Sequence, residues 1–307
     1  MTDVRLIELP PPTTTWSLLL HGGAGGRVEE LAVAGDGPYA DGLRAAWRAG
    51  AAVLSAGGSA LDAVGASVEV LEDDPLFNAG RGAALTAAGT AELDACVMSG
   101  DGRAGAVAAS RHARHPVAAA RRVRDEGRAV LLVDPPVGAV ERWGLERVDG
   151  SWFVTPARQQ QLARVTRREL EPARHGTVGA VAVDASGHVA AATSTGGMVG
   201  QSEGRVGDSP IVGAGTYARD GVVAVSCTGE GEAFLQGLVA ADIAARVRYL
   251  GADLATAVRD TVAAELAPRG ASGGLVAVRP DGSGVVAHSS PAMYAAYADG
   301  GRLVTLT

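Results

Sequence analysis

Short apolar runs joined by glycine turns occur in two sets along this chain, each set accompanied by paired helical stretches, and no shift in composition separates the sets. The first set contains Trp16–Leu20, Ala83–Thr86, Ala91–Met98 and Ala104–Ala109. The second contains Val178–Val183, His188–Ala192, Val222–Cys227, Leu275–Val278 and Val285–His288. Runs this short and apolar predict strands buried on both faces, so helices must cover the sheets from outside. Helical spacing runs from Tyr39 to Leu71, interrupted at Gly57–Gly58, with Ser59 as N-cap and Asp62 three residues on. Further helices are predicted over Val117–Glu126, Gln159–Arg168, Glu232–Leu250 and Leu254–Leu266. Glu8–Thr15 is a stiff non-helical lead-in, and His21–Gly26 is predicted as a glycine turn after the first strand. The expectation is one α/β layered sandwich over 1–307.

Composition removes several function classes. All 27 basic residues other than histidine are arginines, which rules out a P-loop lysine, a Schiff-base lysine and a Ser–Lys dyad. The absence of lysine beside abundant alanine, glycine and arginine fits a GC-rich bacterial coding sequence. A net charge of −7 argues against nucleic acid or an anionic membrane as partner. No apolar run reaches membrane-spanning length, and Met1–Leu20 lacks a basic start followed by an apolar stretch, so the cytoplasm is the expected compartment. Cys96 and Cys227 sit in apolar surroundings and are expected to be buried, inert thiols.

The weak point in the strand–helix continuity is Thr155–Gly176, which is polar and arginine-rich and ends in EPARHG. It leads directly into Thr177 and the strand Val178–Val183. A threonine there serves as an ordinary strand starter unless the bond before it is cut. Cutting would give Thr177 an α-amine of pKa ~8 beside its own hydroxyl, so that one residue supplies both nucleophile and base. Gly176, lacking Cβ, suits the strained geometry that such a scission needs.

Eight collinear strings then point one way. They are HGGAG (21–25), DDPLFNAGRG (73–82), ELDACVM (92–98), RAGAVA (103–108), HGTVGAVAVD (175–184), AATSTGG (191–197), GRVGDSPIVGAG (204–215) and SCTGEGE (226–232). Together they resemble the threonine-dependent asparaginase and isoaspartyl peptidase family, the plant-type L-asparaginases. The resemblance implies a four-layer αββα sandwich of the Ntn-hydrolase type, cleaved between Gly176 and Thr177 into subunits 1–176 and 177–307. It implies Thr177 as nucleophile, oriented by Thr195, with Thr228 and the amide of Gly229 as oxyanion hole. It places the substrate α-carboxylate on Arg205 and its α-ammonium on Asp208, brings Gly231 close to the substrate, and gives Asn78 an ordering role. No cofactor is implied for catalysis. A structural sodium ion is implied on the carbonyls of Leu71, Glu72, Asp74, Phe77, Ala79 and Arg81. Implied substrates are L-asparagine and isoaspartyl dipeptides, and the implied assembly is a homodimer of cleaved protomers. Two departures stand out: HSSPAM at 288–293 replaces a common Phe-Asn-Thr-x-Gly-Met, and Ala295 stands where arginine is frequent.

Other patterns compete. GASGG (270–274) fits the serine-hydrolase pattern G-x-S-x-G, but Ser272 follows a helix and precedes a strand, the reverse of a nucleophile elbow. His112 and His115 lack the acidic residue of a zincin helix, and nearby arginines suit a solvated face. A glycosylasparaginase usually carries aspartate before its threonine, whereas Gly176 favours asparagine or isoaspartyl substrates. A relative that binds amino acids without cleaving itself is the non-enzymatic alternative.

Overall fold

The computed structural model describes residues 4–25, 37–167 and 176–307. Its strands and helices follow the chain as β1 (Arg5–Leu9), β2 (Ser17–Gly25), α1 (Gly37–Ser55), α2 (Ala60–Asp73), β3 (Leu93–Ser99) and β4 (Ala104–Ser110). Next come α3 (Pro116–Glu126), β5 (Leu131–Val133), α4 (Val137–Arg142), α5 (Pro156–Thr166), β6 (Val178–Val183), β7 (Val189–Thr195), β8 (Thr216–Arg219) and β9 (Val223–Gly229). The chain ends with α6 (Gly231–Gly237), α7 (Val239–Leu250), α8 (Leu254–Thr261), β10 (Gly273–Val278), β11 (Gly284–His288), β12 (Ala292–Asp299) and β13 (Arg302–Leu306).

The strands form an eight-stranded sheet, ordered β13-β12-β2-β6-β7-β3-β4-β5, and a five-stranded sheet, ordered β1-β11-β10-β9-β8. Side-chain alternation sorts each strand into two different layers. Leu19, Val181, Val183 and Ala191 of the large sheet meet Ala224, Val276, Val278 and Val286 of the small one. Their neighbours Leu18, Leu20, Ala180, Ala182 and Ala190 point the other way, onto Leu43, Val64, Val68 and Val117 of α1–α3. Across the molecule, Val223, Val225, Leu275 and Ala277 pack on Val239, Ile243, Val258 and Leu266 around α7 and α8. The α/β expectation holds, with two sheets face to face and helices on both outer surfaces. Burial on both faces explains why the central strands read as unbroken apolar runs.

Ser59 caps α2 as expected, its hydroxyl accepting the Asp62 N–H at 3.1 Å. Several expectations need correction. The glycines after Leu20 do not turn; β2 continues through His21–Gly25, because β12 and β6 flank it and supply backbone partners. Ala83–Thr86 is not a strand: the Ala84 N–H goes to the Asn78 side chain and the Ala83 N–H to Gly80 O, leaving a single bridge from Thr86 to Gln201. The helix expected over Glu232–Leu250 breaks at Leu238 (φ 44°), and the N–H groups of Ala240 and Ala241 instead bond Ala214 O and Gly213 O. The helix beginning at Leu254 widens into a π turn over Val262–Leu266. The irregular stretch predicted at Glu171–His175, and the end of the first glycine run at Gly26, lie outside the described residues. The lead-in Glu8–Thr15 is non-helical, but its first two residues belong to β1, which pairs with β11.

Candidate active site

Thr177 directly precedes β6 and is 6% exposed. Gly176, just before it, has φ +139°, a conformation open to glycine and strained for other residues. A Cβ at Gly176 would lie 2.7 Å from Asn78 Cβ, so close approach also requires glycine there.

Two donors converge on the Gly176 carbonyl: Asn78 Nδ2 at 2.6 Å and Thr195 Oγ1 at 3.0 Å. Asn78 is itself fixed, donating to Gly197 O at 2.7 Å and accepting the Ala84 N–H at 2.6 Å. Thr195, the last residue of β7, accepts the Thr177 hydroxyl at 3.1 Å and the Gly197 N–H at 3.0 Å. A directed chain of hydroxyls therefore runs from Thr177 Oγ1 through Thr195 Oγ1 to Gly176 O.

The Thr177 carbonyl lies outside the β6 ladder and is held by His21, whose Nδ1 stands 2.9 Å away. A carbonyl only accepts, so Nδ1 carries the proton and Nε2 accepts from the Ser226 hydroxyl at 2.9 Å. Burial pushes the His21 imidazole down to about 3, against the raising effect of its bond to Thr177, which keeps the ring neutral. Gly179, cross-strand from His21, leaves room for the ring: a Cβ there would lie 2.5 Å from Nε2. Ser226 continues to Thr193 at 2.8 Å, and Thr193 to Thr216 at 2.7 Å, so this polar thread stitches β2, β9, β7 and β8 together. Neither His21 nor Ser226 carries a local signal of its place beside Thr177, although both sit inside the strings HGGAG and SCTGEGE.

One cleft is lined by Thr177, Thr195, Arg205, Asp208, Gly229 and Gly231. A Cβ on Gly231 would stand 3.0 Å from both Arg205 Nη2 and Asp208 Oδ1, so glycine keeps the opening between the two charges wide. Arg205 presents Nε and Nη2 to Glu232 at 2.9 and 3.1 Å and Nη1 to Gln201 at 3.2 Å. Its terminal fork keeps N–H groups for a further acceptor. Asp208 is 4% exposed and its Oδ2 has no hydrogen-bond partner. Burial pushes its carboxyl up to about 7, with Arg205 pulling the other way. A buried carboxylate short of a partner beside a guanidinium fork suits a ligand that carries both an ammonium and a carboxylate.

Thr228 is fully buried at the end of β9, and its Oγ1 accepts the Ala24 N–H at 3.1 Å, leaving its own proton to donate. Gly229 (φ +155°) packs so tightly that a Cβ would lie 2.6 Å from Gly273 Cα. The departing segment 288–293 backs this wall, with the Ser289 N–H donating to Gly273 O at 2.8 Å. Ala295 is fully buried in β12 opposite His21.

In the loop after α2, Glu72 O accepts the Arg81 N–H at 2.7 Å, and a Cβ on Gly82 would sit 2.5 Å from Pro75 O and 2.8 Å from Phe77 O. The Asp74 carbonyl likewise accepts the Phe77 N–H at 3.2 Å, so two of the six carbonyls expected to hold a sodium ion are hydrogen-bonded within the loop. Among the described residues no cluster of three or more His, Cys, Asp or Glu side chains could hold a metal ion. His115 Nε2 lies 3.1 Å from Asp73 Oδ1 without forming a hydrogen bond. Ser272 precedes β10 with its Oγ 3.5 Å from Glu230, which leaves the serine-hydrolase pattern as a turn. Cys96 and Cys227 are both buried free thiols. A wider cleft between α2 and α3, lined by Leu61, Asp62, Arg121 and Arg122, includes none of these site residues. No helix among the described residues is long and apolar enough to cross a membrane.

The family model described as asparaginase matches residues 14–306. The chain is 45% identical to an isoaspartyl peptidase of Salmonella typhimurium, over 94% of this chain and 96% of that protein. It is 43% identical to an isoaspartyl peptidase of Escherichia coli, over 94% of both chains. It is 35% identical to a probable isoaspartyl peptidase/L-asparaginase of Arabidopsis thaliana, over 91% of this chain and 94% of that one. With the match running through both sheets and every element of the Thr177 cleft, the chain belongs to the asparaginase family of hydrolases that includes these isoaspartyl peptidases.

Proposed function

We propose that this chain cleaves itself between Gly176 and Thr177 and then hydrolyses the side-chain amide of L-asparagine and the β-linked bond of isoaspartyl peptides. The observation that carries this is the double grip of Asn78 and Thr195 on Gly176 O while the Thr177 hydroxyl is hydrogen-bonded to Thr195. Attack of Thr177 Oγ1 on the Gly176 carbonyl carbon would move negative charge onto that oxygen, where two donors already wait. The hydroxyl proton passes to Thr195 while Thr195 releases its own towards Gly176 O. As the tetrahedral intermediate collapses, that proton passes on to the Thr177 nitrogen and the C–N bond breaks, leaving an ester and a free α-amine; water then hydrolyses the ester into a 1–176 piece and a 177–307 piece.

The freed α-amine, with pKa ~8, takes over as base. Arg205 and Asp208 hold the substrate's α-carboxylate and α-ammonium, and the side-chain carbonyl meets Thr177 Oγ1. The tetrahedral oxyanion is received by the Thr228 hydroxyl and the Gly229 N–H. Ammonia or the departing peptide leaves, and water releases aspartate from the acyl-enzyme. The layering of helices, two sheets and helices supports assigning the fold to the Ntn-hydrolase sandwich, here a single domain. A sodium ion held by carbonyls of Leu71–Arg81 would brace the Asn78 loop and supply no chemistry to the reaction. The working form is a cytoplasmic homodimer of cleaved protomers.

Intact mass and denaturing electrophoresis test the first step. Two pieces meeting at Gly176/Thr177, with ammonia released from asparagine, are expected. A permanently single chain that binds amino acids without turnover would leave only the binding-protein alternative, and a preference for glycosylated asparagine would mark the glycosylasparaginase one. Binding should also depend on pH. Because burial lifts Asp208 to about 7, the carboxyl becomes neutral as pH falls and loses its hold on the ammonium. KM for asparagine should therefore rise by up to ~10-fold per pH unit below neutrality. Asp208→Asn should raise KM and flatten that dependence; an unchanged profile would remove Asp208 from the substrate grip.

A further inference from the structure

Two buried carboxylates near the start of β3 face the loop that carries Arg205 and Asp208. Glu92 Oε2 accepts the Gly204 N–H at 2.7 Å, and Asp94 Oδ2 accepts the Gly207 N–H at 3.1 Å. Gly204 immediately precedes Arg205, and Gly207 immediately precedes Asp208. Glu92 and Asp94 are 6% and 3% exposed, so the bonds are sheltered from water and charge-assisted. The other oxygen of Asp94 accepts the Ala109 N–H at 2.9 Å. Ala109 has φ +48° at a bulge where the β3–β4 register shifts between Leu93 and Ala95. A non-glycine residue is rarely held in that conformation, and the bulge aims its N–H at Asp94.

Asp94 also lies directly opposite Thr195 in the β3–β7 ladder. One rung of sheet and one carboxylate therefore connect the residue that holds the Thr177 hydroxyl to the residue next to Asp208. We propose that Glu92 and Asp94 are positioning residues that clasp the Gly204–Gly207 backbone and so set the distance between the nucleophile and the Arg205/Asp208 grip. This rests on the function proposed above. A fixed span measures the substrate: asparagine has one methylene between its amide carbonyl and its α-carbon, glutamine has two, and only one length can satisfy both ends.

The test uses full-length Glu92→Ala, Glu92→Gln, Glu92→Met and Asp94→Asn, with kcat and KM measured on L-asparagine and L-glutamine and self-cleavage followed by intact mass. Glu92→Ala should still process, yet raise KM for asparagine ~10-fold or more and narrow the preference for asparagine over glutamine by a similar factor. Glu92→Gln keeps an acceptor oxygen and should restore both values, whereas Glu92→Met, which keeps the bulk without an acceptor, should not, a difference that loss of packing alone does not produce. Asp94→Asn is isosteric, but its amide group must face one of two N–H donors, so it should show the Glu92→Ala pattern. It carries the test if the alanine variant does not fold. Processed variants with wild-type KM and wild-type selectivity would overturn the clasp while leaving the parent function standing. A wild-type protein that turns over neither amide would remove both.

Discussion

Thr177→Ala is expected to remain one continuous chain and to lose turnover by on the order of 10⁴–10⁶-fold, because a single hydroxyl is spent on both steps. In the intact chain that hydroxyl is the group hydrogen-bonded to Thr195, whose own proton goes to Gly176 O. Removing it leaves the two donors on Gly176 O with nothing to attack the carbon between them. In mature enzyme the same deletion removes the atom that would carry the acyl group. Folding should survive, since Val178–Val183 keeps its pairing with β2 and β7, and His21 keeps the carbonyl of residue 177 as acceptor. Thr177→Ser, which restores a hydroxyl, should recover both cleavage and activity. Mass spectrometry of the purified variants with an ammonia-release assay reads both effects, and a Thr177→Ala protein that still splits at Gly176 would place the nucleophile elsewhere.

Asn78→Ala should slow self-cleavage by ~10²–10³-fold, the usual consequence of deleting one donor from a developing oxyanion. The loss has two parts. Gly176 O would keep only the Thr195 hydroxyl. The Ala84 N–H and Gly197 O would lose their side-chain partner, at ~1–3 kcal/mol for each group left buried and unpaired. The kinetic effect appears in the time course of chain splitting, and the structural one in the denaturation midpoint. A variant that falls in stability but matures at the wild-type rate would show that Asn78 only holds the loop and does not serve the carbonyl.

Much of the architecture was legible along the chain. Apolar runs identified β4, β6, β7, β9, β10 and β11, and Ser59 with Asp62 marked the start of α2, because alternation and capping act between residues close in sequence. The expectation for Gly176–Thr177 rests on a signal of the same local kind: a glycine, a β-branched hydroxyl and a buried strand in immediate succession specify what a scission there would create. The resemblance supplied Thr195, Arg205 and Asp208.

What only the tertiary structure decided is where separated segments meet. A run such as HGGAG has almost no side chains to show a period, so its neighbours β6 and β12, rather than its own composition, make it a strand. Asn78 reaches Gly176 across 98 positions and His21 reaches Thr177 across 156, and no local pattern records contacts over such distances. The carboxylates of Glu92 and Asp94 read as ordinary polar residues beside a strand until the fold brings them onto the backbone of Gly204 and Gly207. Side-chain type and spacing fix what a residue can do chemically, but the closing of one sheet over another chooses its partner.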